Sequence, residues 1–105
     1  MERNEVISSI LDYWVEISNK KIKKTERRNA LINKALDLIS HEDCINIINY
    51  ILLSEDGYAI YMRENNYTSV ENIFRLTKLE DKLKKANQWI KSTELPDDDF
   101  GWEIK

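Results

Sequence analysis

The densest group of charged side chains in the sequence is a basic segment over residues 20–28, which carries six cations and one anion. Lysine and arginine side chains that neutralise phosphates release bound counterions. A cluster of this size could therefore bind DNA or RNA in a salt-sensitive way that does not depend on base sequence. We predict that this basic segment binds nucleic acid, and its candidate residues are Lys20, Lys21, Lys23, Lys24, Arg27 and Arg28.

The helix dipole explains only part of the basic segment. Lys20 and Lys21 follow the predicted first helix, whose C-terminal end carries partial negative charge. Arg27 and Arg28 fall in the first turn of the predicted second helix, where positive charge is mildly unfavourable. Phosphate binding would account for these two arginines. The alternative interpretation is that the whole segment is a solvated loop.

An acidic segment lies at the other end of the sequence. Residues 1–93 contain 15 Lys and Arg against 14 Asp and Glu, whereas residues 94–105 contain one Lys against 5 acidic residues. Pro96 cannot continue a helix and the aspartates that follow it repel one another, so we expect an extended acidic tail. One interpretation is that its two aromatic side chains pack on the helical body. The other, which we adopt, is that the tail docks a partner protein through Asp97, Asp98, Asp99, Phe100 and Trp102.

The residues that catalysis and metal binding require are few and scattered. The sequence has one histidine, His41, and one cysteine, Cys44, which are too few for a zinc site or an internal disulfide. Gly57 and Gly101 are too far apart to form a phosphate-binding loop. We therefore predict no catalytic residue, no metal, no cofactor and no small-molecule substrate, and we interpret the chain as a non-enzymatic binding protein.

Aromatic side chains outside the tail could include stacking platforms for unpaired bases. Trp14 has apolar neighbours at helical spacing, so we expect it to anchor the core. Tyr58 and Tyr61 are better candidates, because they lie in the least regular part of the sequence, where an aromatic side chain need not be buried. The full set is Tyr13, Trp14, Tyr50, Tyr58, Tyr61, Tyr67, Phe74 and Trp89.

Apolar periodicity and capping residues predict the helices of the first half of the chain. Apolar residues recur at three- and four-residue spacing over residues 2–19, which predicts a first helix. Thr25 is a suitable N-cap for a second helix. Ser40 opens a third helix that ends near Ser54, and Asp43 stands where a capping-box acid could accept a hydrogen bond from the Ser40 backbone amide.

The second half of the chain contains an irregular stretch followed by two capping signals. Around Gly57, a candidate helix end, we expect a loop or a short helix. Thr68 with Glu71, and Thr77 with Glu80, have capping-box spacing. The helices that they predict are a short one over residues 69–75 and a longer one over residues 78–91.

These elements predict an all-α protein, a compact bundle of four to five helices with an extended acidic C-terminal tail. The helical domain covers residues 1–93 and the tail covers residues 94–105. No apolar run approaches the roughly 18 residues that a membrane helix needs, and the first residues lack the apolar block of a secretory signal. A single cysteine agrees with a reducing compartment, so we expect a cytoplasmic protein.

A pattern of aromatic, basic and acidic positions extends from residue 6 to residue 83. Its members are Leu11, Tyr13 and Trp14, then Arg27 or Arg28, Leu31-Ile32, Ala35-Leu36, Glu42-Asp43 and Ile47-Ile48, and finally Tyr67, Asn72-Ile73-Phe74-Arg75 and Leu79-Glu80. In this order and spacing the chain resembles the C-terminal domain of phage replisome-organiser proteins, the DnaD-like replication initiators of Gram-positive phages. That domain has a hydrophobic-Tyr-Trp segment, a lysine-rich turn, an arginine and an acidic helix start.

The resemblance implies binding to single-stranded or melted DNA and contact with a replicative helicase, loader or polymerase. Our first interpretation is therefore a non-enzymatic accessory protein of phage or mobile-element DNA replication, which has no membrane partner. The alternative is a small helical inhibitor or immunity protein that binds and neutralises a host or toxin protein. A compact helical body with little chemistry suits either role.

Overall fold

The computed structural model describes residues 2–94, and helices form most of this range. No strand occurs in it, so the predicted all-α class is confirmed. The helices, in chain order, are α1 (Arg3–Ser18), α2 (Glu26–Leu38), α3 (His41–Leu53), α4 (Gly57–Glu64), α5 (Val70–Ile73) and α6 (Leu79–Glu94), and a 3₁₀ turn (Leu76–Lys78) leads into α6.

The side chains that begin α2 and α3 are the ones that the sequence indicates. The Thr25 hydroxyl accepts a hydrogen bond from the Arg28 backbone amide at 3.2 Å. At α3 the Ser40 hydroxyl accepts from the Asp43 amide at 3.0 Å, and the Asp43 carboxylate accepts from the Ser40 amide at 3.1 Å. This reciprocal pair satisfies two amides that the helix itself leaves without partners, so the predicted capping box is confirmed.

The irregular stretch forms a helix, and both capping boxes predicted for the second half of the chain are wrong. Thr77 lies inside the 3₁₀ turn and does not cap α6. Gly57 begins α4 rather than ending a helix, and the Asp56 carboxylate accepts from the Tyr58 amide at 3.3 Å. Ser69, not Thr68, caps α5, because its hydroxyl accepts from the Asn72 amide at 3.2 Å. Thr68 is instead buried next to α1. The helix that follows, Val70–Ile73, has only four residues and is shorter than predicted at both ends.

The core is built around α3, which packs against α1, α2, α4 and α6. The buried residues of α3 are Cys44, Ile47, Ile48, Tyr50 and Ile51. Full burial of each large apolar side chain stabilises the fold by roughly 1.5–3 kcal/mol. The same core contains buried side chains from the other helices, including Ile10, Leu11, Trp14, Ile32, Ala35, Ala59, Ile73, Phe74, Leu79 and Ala86.

The helical body extends slightly past the predicted domain boundary, because α6 continues to Glu94. Among the described residues, no helix combines the length and the apolar character that a membrane crossing requires. The predicted docking residues of the tail, Asp97, Asp98, Asp99, Phe100 and Trp102, lie outside the described residues.

Candidate nucleic-acid interface

The basic segment forms the connection between α1 and α2 and the first turn of α2. Asn19 at the end of α1 has a left-handed backbone (φ 59°), a conformation that asparagine tolerates well. One cation of the segment binds back onto α1: Lys24 Nζ lies 2.8 Å from an Asp12 carboxylate oxygen and donates to the Ser8 hydroxyl at 2.7 Å. Lys24 therefore holds the connection against α1.

A second cation of the segment bridges α2 and α5. Arg28 Nε donates to a Glu71 carboxylate oxygen at 2.7 Å, and Arg28 also donates to the Lys23 carbonyl oxygen at 3.0 Å. The Arg28 side chain is 28% exposed, so the pair is partly shielded from water. The structural contacts of Arg28 account for its position without phosphate binding.

The remaining four cations of the segment are exposed. Lys20, Lys21, Lys23 and Arg27 have no ion pair with any residue of the described part of the chain. Their charges are therefore available to an anionic ligand. The predicted interface thus divides into two residues that stabilise the fold and four that present free positive charge.

A second cationic surface, which we call the tyrosine groove, lies between α4, α5 and the start of α6. It encloses about 370 Å³. Three of its eight lining residues are tyrosines, three are cations and none is acidic, although the whole chain has a net charge of −3. The lining residues are Tyr58, Tyr61, Met62, Tyr67, Asn72, Arg75, Lys78 and Lys82.

The tyrosines of the groove include two of the four exposed large hydrophobic side chains in the described part of the chain. Tyr61 is 52% exposed and Tyr67 is 43% exposed. Their rings meet edge to face with centroids 5.9 Å apart. Tyr58 is half-buried, and Lys85 Nζ lies 5.2 Å from its ring centroid in a cation–π contact. Burial raises the pKa of Tyr58, so this phenol stays neutral.

The cations of the groove differ in their surroundings. Arg75 and Lys78 are exposed, and Arg75 donates to the Asn72 side-chain oxygen at 3.2 Å. Lys82 is 2% exposed, and its Nζ donates to the Ile73 carbonyl oxygen at 3.2 Å and to the Asn72 carbonyl oxygen. Burial, together with Arg75 and Lys78, lowers the pKa of Lys82 to about 8. Lys82 therefore caps carbonyl oxygens at the C-terminal end of α5 and contributes positive charge to the lining of the tyrosine groove.

A neighbouring depression, which we call the leucine groove, lies between α2 and the 3₁₀ turn. It encloses about 480 Å³ and is lined by apolar and basic residues. Its one acidic residue, Glu71, is the partner of Arg28. The complete lining is Arg27, Ala30, Leu31, Lys34, Glu71, Arg75, Leu76 and Thr77. Arg75 thus belongs to both grooves, and the leucine groove connects the tyrosine groove with the basic segment.

The structure separates the aromatic candidates into core and surface residues. Trp14 lies in the core, as predicted, and its Nε1 donates to the Thr68 carbonyl oxygen at 3.0 Å. Tyr50 and Phe74 are fully buried. Tyr58 and Tyr61 were the preferred candidates from the sequence, and Tyr67 stood only in the wider aromatic set. The Asn65-Asn66 pair before Tyr67 was the sequence signal for an exposed turn, and Asn66 has a left-handed backbone (φ 60°) there.

Other reactive side chains do not assemble into a site in the described part of the chain. Burial and the neighbouring Asp43 raise the pKa of the Cys44 thiol to about 12, which makes it a packing residue. His41 is half-buried, with Nε2 3.4 Å from the Ser9 hydroxyl. Over residues 2–94, no three His, Cys, Asp or Glu side chains lie close enough together to hold a metal ion.

The chain matches none of the protein-family models, curated proteins or solved structures with which it was compared.

Proposed function

We propose that this protein is a non-enzymatic binding protein for single-stranded DNA, and that the tyrosine groove is its principal contact. The observation that carries the proposal is the composition of that groove. Three tyrosines and three cations line it without a carboxylate, in a chain of net negative charge. Proteins that bind single strands combine these two elements, since bases stack on aromatic rings and cations hold the backbone.

The exposed tyrosine pair favours unpaired bases over duplex DNA. Tyr61 and Tyr67 are exposed although burial of aromatic rings is favourable, so a ligand that covers them would gain that free energy. Bases in a duplex are stacked on one another and do not offer their faces to a side chain. Arg75 and Lys78 lie on the same groove and can neutralise the adjacent phosphates.

Fluorescence anisotropy with a labelled oligothymidylate tests the proposal. We expect binding that weakens steeply with salt and that a duplex of the same length competes for poorly. Replacement of one stacking tyrosine, Tyr61→Ala, removes roughly 1–3 kcal/mol of binding free energy, which is about a fivefold to 150-fold loss of affinity. The melting temperature stays nearly the same because the side chain is exposed.

A matched control is Leu38→Ala, which removes a side chain that is 54% exposed and lines neither groove. This variant should bind the oligonucleotide as the wild type does. Absence of binding by the wild-type protein at low salt would contradict the proposal and would favour the alternative, an inhibitor or immunity protein. Equal affinity of wild type and Tyr61→Ala would contradict the role of the groove.

We further propose that the protein acts in phage or mobile-element DNA replication and contacts a replicative helicase, loader or polymerase. The support is the resemblance to replisome-organiser proteins. Two segments of that pattern lie side by side, because Trp14 donates its hydrogen bond to Thr68, the residue after Tyr67. Biolayer interferometry of the immobilised full chain against each of the three purified enzymes tests this role. Absence of binding to all three would contradict it.

A further inference from the structure

We infer that a single strand bound in the tyrosine groove continues past Arg75 into the leucine groove, which is a second nucleotide-binding site. The inference rests on the proposed function and adds to it the path that the strand follows. Arg75 links the two grooves, because its exposed guanidinium lines both of them and forms no ion pair with a described residue. A backbone phosphate at Arg75 would have open space for a nucleotide on either side.

The lining of the leucine groove suits nucleotides that follow one another along a strand. Leu31 and Leu76 offer apolar surface against which a base can lie. Arg27 and Lys34 are exposed cations in the same lining, without an ion pair to a described residue. The single acidic residue is paired to Arg28 at 2.7 Å, so its charge is largely neutralised and does not repel a phosphate.

The location of Arg27 supports this path independently of the groove shape. Arg27 lies in the first turn of α2, where the helix dipole disfavours positive charge. Its neighbour Arg28 is explained by the ion pair with Glu71, whereas Arg27 has no such contact in the described residues. A phosphate at the mouth of the leucine groove provides the missing partner for Arg27. The strand then leaves the groove toward Lys23 in the exposed part of the basic segment.

A short strand, the thymidine dinucleotide, and a long strand, an oligothymidylate of about 16 nucleotides at the upper end of single-strand site sizes, test the path. The short strand is small enough to bind in the tyrosine groove alone, and the long strand spans both grooves. The test variant is the double substitution Arg27→Gln with Lys34→Gln. We expect it to bind the long strand more weakly, with a slope of log K against log salt that is shallower by about 1.4, which corresponds to two lost phosphate contacts. Its affinity for the short strand should equal that of the wild type.

The matched control is Lys84→Gln with Lys91→Gln, which removes the same charge from exposed positions of α6 that line neither groove. An equal loss in this control would overturn the path, since the effect would then reflect net charge. If the test variant binds the long strand with the affinity and the salt slope of the wild type, the path is overturned and the proposed function stands. Polyglutamate serves as a probe for acidic peptides. If the test variant binds polyglutamate more weakly than the wild type does but binds both strands equally well, the groove is an acidic-peptide site and the path is overturned. Failure of the wild type to bind either strand would overturn the path together with the proposed function.

Discussion

Arg28 and Glu71 form an ion pair, with 2.7 Å between the guanidinium Nε and a carboxylate oxygen, that joins α2 to α5 across 43 residues of sequence. Of this pair Glu71 lines the leucine groove, and Arg27 lines the same groove without an ion pair to a described residue. Two adjacent arginines of the basic segment therefore have different roles. One fastens α5 to the helical body, and the other faces the solvent.

The two arginines should contribute differently to stability. We expect Arg28→Gln to lower the free energy of unfolding by about 1 kcal/mol, because it breaks a partly exposed ion pair and the hydrogen bond to the Lys23 carbonyl oxygen. Arg27→Gln is the matched control and should leave stability within about 0.5 kcal/mol of the wild type. Urea denaturation followed by circular dichroism measures both. Equal stability of the two variants would contradict the structural role of Arg28.

The exposed cations of the basic segment should contribute to binding without contributing to stability. Replacement of Lys20, Lys21, Lys23 and Arg27 by Gln removes up to four phosphate contacts, so the salt slope for a long single strand should become shallower by up to about 3. The melting temperature should change little, because these side chains have no described ion pair. Anisotropy titrations at several salt concentrations measure the slope. An unchanged slope would remove the basic segment from the interface.

Lys82 should make stability depend on pH in alkaline solution. The pKa of Lys82 is lowered from 10.5 to about 8 in the folded protein by burial, with Arg75 and Lys78 adding to the effect and Asp81 opposing it. Well below pH 8, Lys82 is protonated in both the folded and the unfolded chain. Between roughly pH 8 and pH 10 the unfolded chain binds more protons, so stability rises with pH. We expect the wild type to gain up to about 1 kcal/mol per pH unit relative to Lys82→Met in this window.

The comparison with Lys82→Met isolates this one group. Tyr50 and Tyr58, whose pKa values are raised, are present in both proteins and cancel in the difference. Chemical denaturation at several pH values measures the difference in the free energy of unfolding. A difference that stays constant from roughly pH 7 to pH 10 would show that Lys82 titrates as an ordinary lysine.

Cys44 should be inert in the folded protein. The thiol is fully buried, and burial together with Asp43 raises its pKa to about 12, so almost no thiolate forms near neutral pH. We expect an aromatic disulfide reagent to react with Cys44 only as fast as the protein unfolds, and rapidly in denaturant. A Lys91→Cys variant in a Cys44→Ala background is the control, since residue 91 is exposed and should react at once. Rapid reaction of native Cys44 would contradict its burial.

Helix starts and the all-α class could be predicted from the sequence, because they depend on residues that lie close together along the chain. The caps at Thr25 and Ser40 each involve a side chain and an amide three residues apart, so their residue types suffice to indicate where α2 and α3 begin. The same holds for the all-α class, which follows from apolar periodicity within each helix. Thr68 is the exception. Its side chain is buried and its carbonyl accepts from Trp14, 54 residues away, and Ser69 caps α5 instead.

The candidate site depends on contacts between distant segments, and only the tertiary structure decided it. The sequence identified a run of cations and two tyrosines of the site. Whether a cation is free to bind a ligand depends on whether the fold places a carboxylate beside it, as it does for Lys24 with Asp12 and for Arg28 with Glu71. The tyrosine groove likewise exists because the packing of α4, α5 and α6 brings together side chains that are far apart in sequence. Charge and helical periodicity are properties of residue type, whereas a groove and an ion pair are properties of distance in the folded chain.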